Sequence, residues 1–311
     1  METSSRIINC NSDAALPNEK FCSNVIRTSK YTLLSFLPIN LYEQFKRVTN
    51  LFFLGLGILQ FFPIFQTIDP VVAILPLIIV LGGSMLKEGY EDSKRHRLDS
   101  QVNNRPIKMV QSKIKSVLIK SGNILSHNEA APLFRQKPKI TPMAADHCET
   151  IKWKDVQVGD VVIVYENEPF PADMVLIGTS DPEGICFVET KNLDGETNLK
   201  VHRAPDEFQG KLSVTELEKF SKFGAKIECG PPHAHLSSFS GVMTVEQCSL
   251  FPQAKIPLHI ENILLRGCFL RNTNWIMGIV VFTGDETKIR LNSGATPLKR
   301  SLLEIQMNYY V

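Results

Sequence analysis

From Val48 to Ile68 the chain has no formally charged residue, reading VTNLFFLGLGILQFFPIFQTI. A second uncharged run, PVVAILPLIIVLGGSML, covers Pro70 to Leu86, and only Asp69 separates the two. A membrane-spanning helix needs about 20 apolar residues, within a range of about 17–25. Both runs approach that length, the second if Lys87 snorkels toward the membrane surface. The pattern predicts a membrane hairpin closed by a turn near Gln66–Pro70. The alternative is a buried helical hairpin in a large soluble core, but a helix of that kind normally keeps a polar stripe. Arg27, Lys30, Lys46 and Arg47 precede the pair, and Lys87, Lys94, Arg95 and Arg97 follow it. The connecting turn has no basic residue, so both ends of the hairpin are expected in the cytoplasm.

Details within the runs refine this expectation. Pro63, Pro76, Gly55, Gly57, Gly82 and Gly83 are tolerated in membrane helices where neighbours re-satisfy the backbone. Asn50 and Gln60 are amides in or near hydrocarbon, for which capping and packing roles compete with functional ones. The preceding stretch, TLLSFLPINLYEQF, predicts an interfacial segment that turns into the first span at Pro38.

Beyond about Asn103 the pattern changes to short strands and turns. Strands are predicted at Lys108–Val110, Ser116–Ile119, Val161–Tyr165, Asp173–Ile177, Ile185–Glu189, Ile263–Leu270 and Trp275–Phe282, with a turn at Asn272–Thr273. A polar stretch from Lys120 to Thr150 reads as an insertion or long loop, and Val214–Phe223 as a short helix. The module is β-dominated and lacks the βαβ rhythm of a nucleotide fold. No Gly-rich phosphate-binding loop occurs. The tail, RSLLEIQMNYYV, begins like a further membrane helix and is expected to be truncated.

Composition adds limits. At 311 residues the chain has room for about two domains. Thirty-four basic and 32 acidic residues leave a net charge of +2, which gives no general affinity for nucleic acid. The seven cysteines are scattered without a CxxC pair, so neither a disulfide framework nor a zinc site is expected. His147 and Cys148 are adjacent but have no spaced partners to complete a metal site.

The densest chemical candidate is ETKNLDGETNLK, residues 189–200. An Asp-Gly turn would project Glu196 and Thr197 from a rigid scaffold. A carboxylate on such a loop can accept a proton from an attacking water. Taken alone, the motif also fits an unremarkable acidic turn.

Several long motifs occur in order along nearly the whole chain from about Asn24. They are RTSKYTLLSFLPINLYEQFKRVTNLFF (27–53), EDSKRHRLDSQVNNR (91–105), VGDVV (158–162), FPADMVLI (170–177) and CFVETKNLDGETNLK (186–200). NILLRGCFLRNT (262–273), FTGDETKIRLNSG (282–294) and TPLKR (296–300) continue the series. With these the chain resembles the amino-terminal portion of a type IV P-type ATPase, a phospholipid flippase. The KNLDGETNLK form, the PLKR tail and the polar insertion look most like the fungal plasma-membrane and endosomal branch.

The resemblance implies a fold class: a multi-pass membrane helical hairpin plus a β-rich, distorted jelly-roll actuator domain, together a fragment of a P-type ATPase. Expected boundaries are a disordered tail over 1–26, a lead-in and two membrane helices over 27–98, the actuator over 99–292, and a linker with a truncated third span over 293–311. Asp194, Gly195, Glu196 and Thr197 match the family's catalytic DGET loop. Glu196 would orient or deprotonate the water that breaks an aspartyl phosphate formed elsewhere in the full-length protein. Cation pumps of the wider family carry TGES there, so DGET favours lipid transport. Gln60 and Phe61 match a residue pair on the family's lipid path, and Asn50 is a further candidate.

Mg2+ and ATP are implied for the full-length protein, with neither bound by this segment. Implied partners are phospholipid and a small two-span glycosylated subunit. The implied lipid is an aminophospholipid, a lysophospholipid or a phosphatidylcholine type, moved from exoplasmic to cytoplasmic leaflet. The implied location is the plasma membrane or Golgi and endosomal membranes, with both termini and the actuator cytoplasmic. The family's DKTGT phosphorylation motif is missing, so the segment alone is expected to be inactive. The competing readings are a truncated protein that binds or regulates a full-length flippase or its subunit, and a fragment of a P-type cation pump.

Overall fold

The computed structural model describes residues 5–10, 21–32, 34–110, 148–210, 224–246 and 254–293, with Leu302 and Gln306. The chain forms two compact units, Met1–Ile26 with Asn103–Gly294 and Arg27–Val102 with Ala295–Val311. The expected strand Ser116–Ile119 and helix Val214–Phe223 lie outside the described residues, as does His147.

The first unit is β-rich. Its strands are β1 (Arg6–Cys10), β2 (Pro106–Val110), β3 (Cys148–Lys152), β4 (Val161–Tyr165), β5 (Asp173–Thr179), β6 (Ile185–Glu189) and β7 (Leu199–Arg203). They continue as β8 (Ala225–Cys229), β9 (Gly241–Val245), β10 (Ala254–Leu258), β11 (Ile263–Leu264), β12 (Phe269–Arg271) and β13 (Trp275–Phe282). Three antiparallel sheets result, in the orders β1-β8-β9-β10, β11-β5-β13-β4-β2-β3 and β12-β6-β7.

The large sheet holds the core. β13 lies between β4 and β5, with Ile279 opposite Val161 on one side and Val175 on the other. Val161–Val164, Met174–Ile177 and Ile276–Val281 are buried. Their unbroken apolar runs suit strands covered on both faces, whereas the alternating burial of β6 marks a strand covered on one. Gly278 is required at the centre, because a Cβ there would sit 2.7 Å from Met174 Sδ and 3.2 Å from the Val175 carbonyl.

Three expectations change. Arg6–Cys10, expected within a disordered tail, is a strand that pairs with β8 from Cys229 to Ala225. Ile263–Leu270 is not one strand but β11 and β12, because Gly267 adopts φ +81° and Arg266 turns into the interior. The polar insertion ends earlier than Thr150, since Cys148–Lys152 pairs with β2.

A buried polar cluster ties distant segments of this unit together. Asn24 donates its amide to the carbonyls of Trp153 (2.7 Å) and Pro171 (3.2 Å). Its Oδ1 accepts from Arg266 Nη1 (2.6 Å) and the Gly284 amide (3.1 Å). Asp173 accepts the backbone N–H of Arg266 (2.8 Å) and of Lys288 (2.7 Å). All these side chains are buried, as is that of Lys288. Burial pushes the Asp173 carboxyl up to about 6, against the two amide bonds and the nearby cations.

The second unit contains α1 (Phe36–Phe45), α2 (Val48–Leu59) and α3 (Pro70–Asn103), the last extending just past the unit's edge. α3 has 34 residues and is about 51 Å long. It is long and apolar enough to cross a membrane, and its apolar stretch is almost wholly unburied. Val71, Ile79 and Val80 all face outward. α2, with 12 residues, spans about 18 Å, short of the hydrocarbon thickness of about 30 Å. Of the two expected spans, the second is thus a helix of spanning length, whereas the first run holds only a shorter apolar helix. α1 and α2 are separate helices because Arg47, just before the first run, is extended (φ −83°, ψ 117°) and Asn50 Nδ2 caps α1 at the Gln44 carbonyl (2.8 Å). Beyond Gln60, Pro63 withholds a backbone donor and turns replace the helix.

Residues 28–31 are fastened to α3 by carboxylates. Asp99 accepts from the Thr28 amide (2.8 Å), the Thr28 hydroxyl (2.6 Å) and the Ser29 amide (3.1 Å). Asp92 accepts the Lys30 amide (2.8 Å). Burial works to raise the Asp99 carboxyl, but the Thr28 and Ser29 bonds hold it below the usual carboxylate range.

Two expected outcomes follow from these ties. Gly284 has φ +54°, and a Cβ there would lie 2.1 Å from the Ser23 carbonyl. Gly284→Ala is expected to destabilise the chain by about 1–3 kcal/mol from overpacking, measured by urea denaturation in detergent. Asp99→Ala is expected to speed hydrogen exchange at the Thr28 and Ser29 amides about tenfold, matching the loss of a charge-assisted bond. Because the folded pKa is depressed, the wild-type protection is present above about pH 3.9 and is lost as pH falls through the lower folded value. Unchanged exchange in the variant would mean that Asp99 does not hold this segment.

Candidate functional site

The 189–200 segment leaves β6 and returns through β7, an antiparallel pair with Glu189 opposite Leu199. The scaffold is stiff at its base, where Arg271 Nε donates to Glu189 Oε2 (2.7 Å) and the Thr273 hydroxyl accepts the Phe187 amide (3.2 Å). The turn is not a bare Asp-Gly bend. Lys191–Asp194 makes one helical turn, closed by amide bonds from Leu193 and Asp194 to the Thr190 carbonyl. Gly195 ends it at φ +79°, ψ −1°, the left-handed conformation that glycine adopts without penalty.

Asp194 organises the tip. Its carboxylate accepts from the Thr190 hydroxyl (2.9 and 3.0 Å), the Glu196 amide (3.0 Å) and Lys200 Nζ (2.6 Å). Burial acts to raise its pKa, but Lys200, the Glu196 amide and Thr190 outweigh it and hold the carboxyl below its ordinary value. Lys200 also reaches Glu196 Oε2 at 3.0 Å. Bonding to Asp194 first, and then to Glu196, raises the Lys200 ammonium. The Glu196 side chain remains 58% exposed, and Gly195 and Thr197 are also on the surface.

The geometry thus gathers Asp194, Gly195, Glu196 and Thr197 on one protruding tip. Asp194 is committed to holding the turn. Glu196 is the carboxylate presented outward, steered by Lys200. Lys200 was the partner without an assigned role in the sequence reading; its signal was a lysine four residues after Glu196.

The other candidates have local partners. Gln60 Oε1 accepts the amides of Thr67 (2.9 Å) and Ile68 (3.3 Å), and so closes the segment between α2 and α3. Asn50 is buried and caps α1. Phe61 is exposed. Among the described residues, no group of three or more His, Cys, Asp or Glu is placed to hold a metal ion. The described cysteines are all free thiols, and burial pushes Cys186 and Cys268 up to about 12 and Cys229 up to about 11. Such thiols are structural and unreactive.

The chain thus combines a β-rich unit bearing an exposed acidic turn with a second unit whose apolar helix suggests membrane association. Residues 8–74 match the family described as "Phospholipid-translocating ATPase N-terminal". The chain is 39% identical to "Probable phospholipid-transporting ATPase 12" of Arabidopsis thaliana over 306 residues, covering 98% of the chain and 22% of that relative. It is 36% identical to "Phospholipid-transporting ATPase dnf2" of Schizosaccharomyces pombe, covering 94% of the chain and 26% of the relative. It is 38% identical to "Phospholipid-transporting ATPase ID" of Homo sapiens, covering 94% of the chain and 21% of the relative. The chain spans about a fifth to a quarter of the length of these curated relatives. It carries the amino-terminal domain of the phospholipid-transporting P-type ATPase family.

The turn itself gives a direct test of its backbone. No atom lies within 4 Å of a Cβ built on Gly195, so a substitution there is opposed by conformation alone. Gly195→Ala is expected to cost about 1 kcal/mol, and Gly195→Asn less. Equal thermal midpoints for all three proteins would show that the left-handed turn is not maintained.

Proposed function

We propose that this chain supplies the actuator module and first membrane segments of an ATP-driven phospholipid translocase. The observation that carries the reading is Glu196, held outward on a braced turn. In the proposed cycle, an aspartyl phosphate forms on another domain of the full-length protein. Water attacks the phosphorus, the acyl phosphate P–O bond breaks, and the products are aspartate and inorganic phosphate. Glu196 takes the proton of the attacking water, as a general base positioned within reach. Asp194 shapes the turn, Lys200 steers Glu196, and Thr197 faces the phosphate.

The described residues contain neither a nucleotide cradle nor a metal-ligand cluster, so they do not fit Mg2+ or ATP. Both would be held by the rest of the protein. Lipid would pass the first membrane segments from the exoplasmic to the cytoplasmic leaflet, near Gln60, Phe61 and Asn50. The exposed apolar faces of α2 and α3 support a membrane setting, with the β-rich unit and both ends of the hairpin cytoplasmic. An aminophospholipid, lysophospholipid or phosphatidylcholine-type cargo, a small two-span partner subunit, and a plasma-membrane or Golgi and endosomal location belong to the same proposal. Placement near the fungal branch rests on the KNLDGETNLK form and the polar insertion, and is part of it.

The test uses a full-length translocase carrying this segment. Glu196→Gln is expected to leave phosphorylation by labelled ATP intact and to slow phosphoenzyme decay by about 10²–10⁴-fold. Decay at the wild-type rate would remove Glu196 from the proposed role.

A further inference from the structure

Lys288 is fully buried. A buried ammonium is costly unless its charge is paired. Its Nζ donates to the carbonyls of His235 (2.9 Å) and Ser238 (2.8 Å). It also lies 3.3 Å from each ring nitrogen of His233. Equal distances to both nitrogens place the ammonium over the ring face, as in a cation–π contact, and not in line with one lone pair. None of these partners carries negative charge. Burial, then Lys288 and His235, hold the His233 imidazole below its usual range, which keeps it neutral at pH 7.

The charge balance around Lys288 is unequal. Asp173 accepts the backbone amides of Arg266 and Lys288, not their side-chain cations. The Arg266 guanidinium bonds the side chain and carbonyl of Asn24. Burial lowers both cations, Arg266 to about 10, which still leaves it charged at pH 7. Asp173 is the buried carboxylate that acts on both side chains, Asp285 adds to the field at Arg266, and the Lys288 amine is bonded by the loop carbonyls of His235 and Ser238.

That loop, His233–Ser240, forms with His259 and Ile260 a cavity of about 260 Å³. Ser237, Ser238, Ser240, His233 and His259 line it with Phe239 and Ile260, and no described carboxylate does. The His259 side chain accepts the Asn262 amide, which leaves its other ring nitrogen to donate. Its volume falls just below the range of about 300–1,000 Å³ typical of drug-sized ligands. A polar lining without a carboxylate, next to a loop that bonds a buried lysine through neutral partners, suits a small anion.

We propose that this cavity is an oxyanion site for a phosphate group. The serine hydroxyls and imidazoles would bond its oxygens. Lys288 would act through its field, because its protons are already engaged by the loop. None of these residues belongs to the 189–200 turn, so the proposal stands apart from the function proposed above. The phosphate group could belong to free phosphate or to a phosphomonoester lipid headgroup, which present the same oxygens.

The test is calorimetric titration of the full chain in a neutral detergent with inorganic phosphate at constant ionic strength. Saturable binding is expected. The exposed pair Ser237→Ala/Ser240→Ala should weaken it about tenfold with an unchanged thermal midpoint, as expected for loss of hydrogen bonds to a charged group. Lys288→Met should abolish it, and the serine pair keeps the test decisive if that variant fails to fold. A second arm uses phosphatidylcholine vesicles with and without phosphatidic acid. Binding only to the phosphatidic acid vesicles, competed by free phosphate and weakened by the serine pair, assigns the headgroup. Binding of free phosphate alone assigns the free ion. Non-saturable heat, or binding that the serine pair leaves unchanged, overturns the site.

Discussion

The β-rich unit depends on the cluster of Asn24, Asp173, Arg266 and Lys288. Asn24 uses both amide donors and its acceptor, and so joins the amino-terminal segment of this unit to Trp153, Pro171, Arg266 and Gly284. Asp173 bridges the amides of Arg266 and Lys288 from the first residue of β5. These bonds connect positions up to 260 residues apart. Buried polar groups are stable only when satisfied, and each bond here satisfies a group that would otherwise cost about 1–3 kcal/mol. The cluster selects one arrangement of the segments that cross it, where apolar packing alone would tolerate several.

The rigidity of this core explains how a mobile-looking turn keeps its shape. The 189–200 segment is exposed, and surface ion pairs contribute little stability individually, about 0–1 kcal/mol. What holds the turn is the combination of Asp194 with four donor contacts, Gly195 in its left-handed conformation, and β6 fixed by Arg271 and Thr273 with β7 paired to it. Part of the conformational cost of ordering Glu196 is thus met within the turn itself, through Lys200. A group aimed in advance loses less on reaching its target than one that must be ordered there.

Much of the β-rich unit was legible from local pattern. Val161–Tyr165, Ile185–Glu189 and Trp275–Phe282 are strands at the expected bounds, because apolar runs flanked by turn residues have few other uses. The misses share a cause, which is partners far away in sequence. Arg6–Cys10 is polar enough to read as tail, yet it pairs with β8 more than 200 residues on. The apolar run ILLRGCFL looked continuous, but Arg266 leaves the strand to meet Asn24 and Gly267 bends the chain. In the candidate turn, the Asp-Gly pair marked the place but not the helical turn before it. That turn exists because the Thr190 carbonyl accepts two amides while its hydroxyl donates to the Asp194 carboxylate. Asn50 and Gln60 were legible as amides in an apolar run. Capping was among their readings, but which groups each amide meets was not legible, since that depends on where α1 and α2 stop.

The segments that leave each unit are fastened locally within it. Ile26 and Asn103, both in the β-rich unit, exchange two bonds: the Ile26 amide to Asn103 Oδ1 (2.9 Å) and Asn103 Nδ2 to the Ile26 carbonyl (2.8 Å). The chain therefore leaves this unit at two places that are fastened to each other. Within the membrane unit the same two segments are fastened again, by Asp99 to Thr28 and Ser29 and by Asp92 to Lys30. Within each unit the pairing is made by polar side chains, Asn103 in one and Asp92 and Asp99 in the other, and not by the apolar residues of α3. A fixed strap of this kind shortens the free chain at each exit, which limits the conformational entropy left there.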